Sequence, residues 1–472
     1  MSGQELTGRW WVPPKSDLDE TGVLRIGMKG DLELALNGTL GRLDAFPNAA
    51  KSRVPVVWGV TRTQQLVTLL DVARTDWHIA APGYPTETFR PEAALVGALL
   101  GPDDLSCSRV GVSFPGLHQW LGQSGLRETV GPKVRDWRIA VDPPHVDTLT
   151  LADGTDVTID FTYRTDRTTV GRLGIDESIF VTFRPKHRSP IDEILRPVSQ
   201  LRDLLIISCG QALMPVSVRL YCPTRLGAPD TADDPDQTPI TFYRATIHPD
   251  VDTTQAGERL DFLVTAPQHP KGVAGAIDSW FALYGHHSAA INIISGLHYA
   301  PQVLRDPELL LALIVAEAYH RASSFPQAVA REDLKRWHAL ISVTPPPHLG
   351  WLKDFVAQLE EPSLNRRLKD LIGRLGDVGK TLTANVPKYS FRASTWRNAF
   401  VHSQHETDGR LSGAHLLQLA WITRLLIELV LLSDAGFKIS EAGSIVNHPR
   451  FRVASSLQLK WPPVSASPKR QA

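Results

Sequence analysis

Cysteine is scarce: in 472 residues only Cys107, Cys209 and Cys222 occur, with no CxxC pair and no metal-ligand spacing. Neither a disulfide framework nor a zinc site is therefore expected, and a reducing cytoplasm is the expected compartment. Charge excess is lacking too. Fifty Lys and Arg meet fifty Asp and Glu, so the overall balance names no partner. The sequence carries no long uncharged apolar run and no basic-then-apolar leader pattern, so no membrane contact is expected. It also lacks a phosphate-cradling Gly loop, a nucleophile elbow and an internal repeat, which removes support from NTPase and serine-hydrolase readings. No cofactor and no metal is expected, because no carboxylate cluster has ligand spacing. The four Asp residues 230, 233, 234 and 236 lie in a Pro-rich stretch without the order of a calcium loop.

What is present divides the chain. At 42% hydrophobic residues it can bury two or three cores. Short apolar or alternating runs at 23–26, 32–36, 54–60 and 66–70, broken by Gly, Asn and Asp, predict antiparallel strands. A second β-rich stretch runs from about Ala94 to Phe183, with a hairpin expected at 148–161 around Asp153-Gly154. Trp10-Trp11 reads as core cover. An amphipathic helix at 191–205 and a strand at 216–221 follow, then a helix over 276–296 in which His286 and His287 point to different faces. Strand patterning stops near Ala300. Beyond it the apolar run 309–320 predicts a central bundle helix, and helices are expected at 331–340, 351–359, after Ser363, and at 416–432, the last for a bundle core or dimer interface. The expected fold class is α+β: a β-rich domain over 1–299, divisible into two subdomains, an all-α bundle over 300–450, and an irregular tail over 451–472.

The chemistry concentrates in Ser394-Thr-Trp-Arg-Asn-Ala-Phe-Val-His402. On a helix, Trp396, Ala399 and Phe400 share an anchoring side, Asn398 and His402 share the opposite one, and Arg397 projects between them. A cation, an amide and an imidazole in one patch suit cleavage of an RNA phosphodiester. A 2′-hydroxyl attacks phosphorus, protons must be taken and given, and the equatorial oxygens need positive charge. Arg410 and His415 repeat the Arg-x4-His spacing, but Gly409 and Gly413 place them in a loop or helix start. Glu317 and His320 on the 309–320 helix fit a cleft lining or a polar helix edge equally well. From Ser363 to Arg397 there are eight Lys or Arg (366, 367, 369, 374, 380, 388, 392 and 397) against Asp370 and Asp377. Such a stretch suits phosphate binding or a solvated face.

Arg397-Asn398 with His402 five positions after the Arg, inside an all-helical C-terminal region, resembles the HEPN ribonuclease motif. Ser363-Leu-Asn-Arg-Arg-Leu-Lys-Asp-Leu-Ile372 is similar to the helix preceding that motif in ApeA-like HEPN domains, and Gly8-Arg-Trp-Trp-Val-Pro13 with Gly22-Val-Leu24 and Leu32-Glu-Leu34 is similar to the opening of the ApeA N-terminal domain. The resemblance implies an anti-phage, abortive-infection protein whose HEPN domain is a metal-independent endoribonuclease. Its N-terminal domain would be a sensor answering a phage-derived trigger. His402 would shuttle protons, Arg397 bind the scissile phosphate and Asn398 orient either group. One His per chain serves poorly as both acid and base, so a homodimer or higher homo-oligomer pairing two His402 is expected. The rival reading is a noncatalytic dimeric module that binds nucleic acid or protein.

Overall fold

The computed structural model describes residues 3–463 except 15–18, 28–29, 41–52, 80–82, 102–103, 130–137, 145–147, 170–171, 223–237, 246–259, 300–304, 324, 326–330, 402–410 and 440–442. Contacts divide the chain into two compact units, Met1–Leu205 with Ala212–Asp261, and Ile206–Gln211 with Phe262–Ala472. The fold class is α+β. The division falls well before residue 300, where strand patterning stops, because the helix at Gly272–Gly296 packs with the helices that follow it.

The first unit begins with β1 (Gln4–Trp11), β2 (Glu20–Ile26), β3 (Leu32–Leu36), β4 (Arg53–Thr61), β5 (Leu66–Ile79) and β6 (Pro85–Arg90). Neighbours pair in the order β5-β4-β1-β2-β3-β6, and β6 also pairs with β5, which closes a six-stranded barrel. Closure removes sheet edges that would otherwise be exposed. Alternate residues point inward, and Leu6, Trp10, Leu24, Leu34, Val57 and Leu69 are buried together. Trp10 fits because its register partner is Gly59, where a Cβ would lie 2.3 Å from the indole ring. Trp10 is thus a core residue, as its sequence context predicts, with Trp11 set edge-on to Trp58.

The sheet continues from β5 through β7 (Ala93–Val96). Next in the chain come β8 (Ser106–Cys107), β9 (Arg109–Ser113), α1 (Leu117–Leu121), β10 (Leu126–Thr129) and β11 (Arg138–Val141). After them stand β12 (Leu149–Thr150), β13 (Asp156–Thr169), β14 (Arg172–Arg184), β15 (Ser189–Pro190), α2 (Ile191–Ile194), α3 (Arg196–Cys209), β16 (Ser217–Tyr221) and β17 (Ile240–Arg244). The hairpin expected at 148–161 is β12 against β13, with Leu149 opposite Val157. One expectation fails: Cys107 and Cys222, 115 residues apart in sequence, form a disulfide. Pairing of β16 with β9 brings their neighbours together, a proximity no local spacing encodes. The Asp-rich stretch 230–236 lies outside the described residues.

The second unit holds α4 (Gly272–Gly296), α5 (Arg305–Ala322), α6 (Arg331–Val343), α7 (Pro346–Glu360), α8 (Leu364–Arg374), α9 (Asp377–Thr383), α10 (Tyr389–Val401), α11 (Gly413–Asp434), α12 (Gly443–Asn447) and α13 (Pro449–Ser456). Ser363 caps α8 by accepting from the Arg366 N–H, and Pro346 opens α7 where its missing N–H costs nothing. α4 kinks at His287, whose φ of −128° and ψ of 22° leave the helical region. α5 and α11 form the centre of the bundle. α11 has the length and apolarity of a membrane span, yet 72% of its most apolar window is buried inside the protein, as befits a core helix. The C-terminal expectation also needs correcting. Pro449 starts a helix rather than ending order: α13 buries Phe451, and His448 caps it.

Candidate functional site

α10 carries the candidate motif, and its first half is fixed firmly. Tyr389, Ser390, Arg392, Ala393, Ser394 and Trp396 are buried, and the Tyr389 hydroxyl meets Thr423 Oγ1 of α11 at 2.7 Å. After Trp396 the helix emerges. Phe400, expected on the anchoring side, stacks on Trp396 at 5.1 Å between ring centroids but is 47% exposed. The anchor is therefore Trp396 alone, and the end of α10 stands open.

Arg397 lies where burial gives way to solvent. Its Nη2 donates to Glu317 Oε2 of α5 at 3.2 Å and its Nη1 to Asn398 Oδ1 at 3.3 Å. Arg397 and Glu317 side chains remain 28% and 25% exposed, enough for an incoming anion to reach the guanidinium. Glu317 also receives Arg321 at 3.5 Å. Arg321 and Arg367 share Glu361, each at 3.0 Å. Arg367 then donates to His320 Nδ1 at 3.4 Å, which leaves the Nε2–H to donate to Asp370 Oδ2 at 3.1 Å, while Arg366 reaches Asp370 at 2.9 Å. Four guanidinium groups and three carboxylates alternate along this chain, with Arg397 at one end and the more exposed Arg366 at the other, so the line carries one positive charge to spare. Burial, opposed by the Asp370 hydrogen bond, lowers the His320 pKa and favours the neutral ring.

The structure thus brings Arg397 and Asn398 together and adds Glu317. His402 lies outside the described residues, as does Arg410. His415 serves α11: its Nδ1 lies 3.0 Å from the Ser412 nitrogen, closing a cap at the helix start. Glu317 was visible in the sequence as a charge inside an apolar helix, but only tertiary packing reveals its partner. His320 holds Arg367 and stacks on Phe325. The basic stretch over 366–392, which suited phosphate binding or a solvated face, has carboxylate or carbonyl partners for most of its cations. Arg366 and Arg367 are engaged as above, Arg374 binds Asp434 at 2.6 Å, Lys380 binds Asp377 at 2.8 Å, and Arg392 donates to the carbonyls of Pro387 and Pro462. Among the described residues no group of three or more His, Cys, Asp or Glu could hold a metal.

A second charged centre lies deep in the bundle. Glu428 of α11 accepts from His298 Nε2 at 2.7 Å and from Arg450 of α13, with Arg424 3.9 Å away. Burial would raise the Glu428 pKa, but Arg450, His298 and Arg424 outweigh it and hold it at about 2. Burial lowers the His298 pKa against the pull of Glu428. A neutral imidazole donating to an ionised carboxylate satisfies both shifts.

No curated protein and no solved structure matches this chain. The family described as ApeA N-terminal domain 1 matches residues 5–245, and the one described as Apea-like HEPN matches 310–441, a range that includes Glu317, Arg397 and Asn398. With the first match covering half of its length and the second most of the helical bundle, the chain belongs to the ApeA family of anti-phage, HEPN-domain proteins.

Proposed function

We propose that the protein is a metal-independent endoribonuclease that acts in abortive infection, cutting cellular or phage RNA at Arg397, Asn398 and His402. The observation that carries this reading is the Arg397 guanidinium held at the surface by Glu317 at 3.2 Å and touching Asn398, within the span matched by the HEPN family. In the reaction the 2′-oxygen bonds to phosphorus and the 5′-oxygen leaves. One imidazole takes the 2′ proton and another gives a proton to the leaving oxygen. Arg397 offers two parallel N–H donors to the phosphoryl oxygens as their charge grows. Two copies of His402 in a homodimer would supply base and acid.

The N-terminal unit is the proposed sensor, restraining the nuclease in the cytoplasm until a phage-derived trigger arrives. An RNase free of control harms its host, which supports placing a regulatory domain on the same chain. The Arg397–Glu317 ion pair also suits a noncatalytic dimeric HEPN module, in which both residues are kept for structure. Incubating the full chain with RNA in the presence of chelator separates the two: cleavage with 2′,3′-cyclic phosphate ends supports the enzyme, and binding without cleavage supports the module.

A further inference from the structure

Two segments of the helical unit hold no acidic residue. Over 378–401 stand Lys380, Lys388, Arg392 and Arg397, and over 443–463 stand Arg450, Arg452 and Lys460. They are distant in sequence but stapled together. Asn385 Nδ2 donates to the Ser455 carbonyl at 2.6 Å, Arg392 Nη2 donates to the Pro462 carbonyl at 2.6 Å, and the Trp461 ring lies 5.0 Å from the Arg392 guanidinium and 4.5 Å from the His415 ring. Residues 457–463 therefore run as a strap across the start of α10. Gln418 of α11 secures the strap at the Leu457 carbonyl, and His415 Nε2 lies 3.3 Å from that of Lys460.

Three cations flank the points where these segments are joined. Lys388 lies three residues beyond Asn385, Arg452 lies one helical turn before Ser455, and Lys460 lies two before Pro462. All three are exposed, and among the described residues none of the three forms an ion pair. This contrasts with α8, where Arg366, Arg367 and Arg374 already face carboxylates. From Tyr389 to Arg397 is eight residues, or about 12 Å along the helix axis, so the staple and the candidate site lie on one helix two turns apart. We infer that Lys388, Arg452 and Lys460 form a phosphate-binding track that holds the RNA strand flanking the cleavage point and leads it to Arg397. The inference rests on the ribonuclease reading. Its physical basis is charge complementarity: a polyanion is met by cations whose charge no neighbouring carboxylate cancels.

The test uses the full chain with His402→Ala, so that RNA stays intact, and a fluorescent single-stranded RNA read by anisotropy over a salt series. Neutralising Lys388→Gln, Arg452→Gln and Lys460→Gln together is expected to weaken binding about tenfold or more. It should also reduce the salt slope by about 2, at roughly 0.7 per lost phosphate contact, with thermal midpoint unchanged. Neutralising the exposed cations of α6 and α7, Lys335, Arg336 and Lys353, should leave affinity and slope as they were. The same three track changes in the chain with His402 intact should raise KM and spare kcat. Unaltered binding in the track variant, or equal losses from both sets, overturns the track while RNA cleavage by the unaltered chain leaves the nuclease reading standing. If the unaltered chain neither binds nor cuts RNA, both fall.

Discussion

Two carboxylates in the helical unit are each approached by two arginines, yet their settings differ. Glu428 is sealed between Arg450, Arg424 and His298 with no exposure, whereas Glu317 lies between Arg397 and Arg321 and is a quarter exposed. The chemistry is the same and burial separates the roles. The sealed members are Glu428 and His298, while Arg450 and Arg424 keep 19% and 22% exposure, so loss of either sealed group leaves the other buried without its partner. An ion pair at the surface costs little to open, so its guanidinium can turn to a phosphate.

The largest expected effect falls on the sealed centre. Glu428→Gln removes the buried negative charge and one of the two oxygens that accept from Arg450 and His298, and should destabilise the protein by about 3–5 kcal/mol in urea unfolding. Acid sharpens the same point. With its folded pKa near 2 against an ordinary 4.5, Glu428 contributes stability that is full above pH 4.5 and lost as pH falls toward 2, about 3 kcal/mol in all. His298, lowered from an ordinary 6.5, adds a loss of the same sign that begins as pH drops through 6.5. A stability profile from pH 7 to 2 that matches that of Glu428→Gln would remove the distinction between the two centres.

At the open centre the effects should fall on activity. Arg397→Ala is expected to cost about 10²- to 10³-fold in RNA cleavage while changing stability by less than about 1 kcal/mol. Glu317→Gln, which keeps the shape and removes the charge that holds Arg397, should lower kcat about tenfold by misplacing the guanidinium. A loss of folding in either variant, seen by calorimetry, would make this centre structural like the first. The smallest effect belongs to His415→Ala. It removes a cap and a contact to the strap and should cost about 1 kcal/mol or less, with kcat unaffected despite its Arg-x4-His spacing.

Much of the architecture was legible because its signals are local. Hairpin residues at Asp153-Gly154, the Ser363 cap and the apolar runs of α5 and α11 each act within a few residues. Of the candidate site the sequence offered Arg397, Asn398 and His402 on one helix, and the first two stand side by side there while His402 lies outside the described residues. That Glu317 rather than His320 meets Arg397 depends on how α5 crosses α10, and the pairing of Arg374 with Asp434 spans 60 residues. The Cys107–Cys222 bond and the strap over α10 were hidden for the same reason. Phe400 shows the converse: helical periodicity assigns a side, but where the protein body ends decides whether that side is covered.

The most direct measurement compares total RNA from phage-challenged cells expressing the unaltered chain or His402→Ala, alongside purified protein and RNA in chelator. Fragments with cyclic phosphate ends from the unaltered chain alone, both in cells and in the tube, are the predicted result. Identical RNA profiles and equal protection from both chains would contradict it.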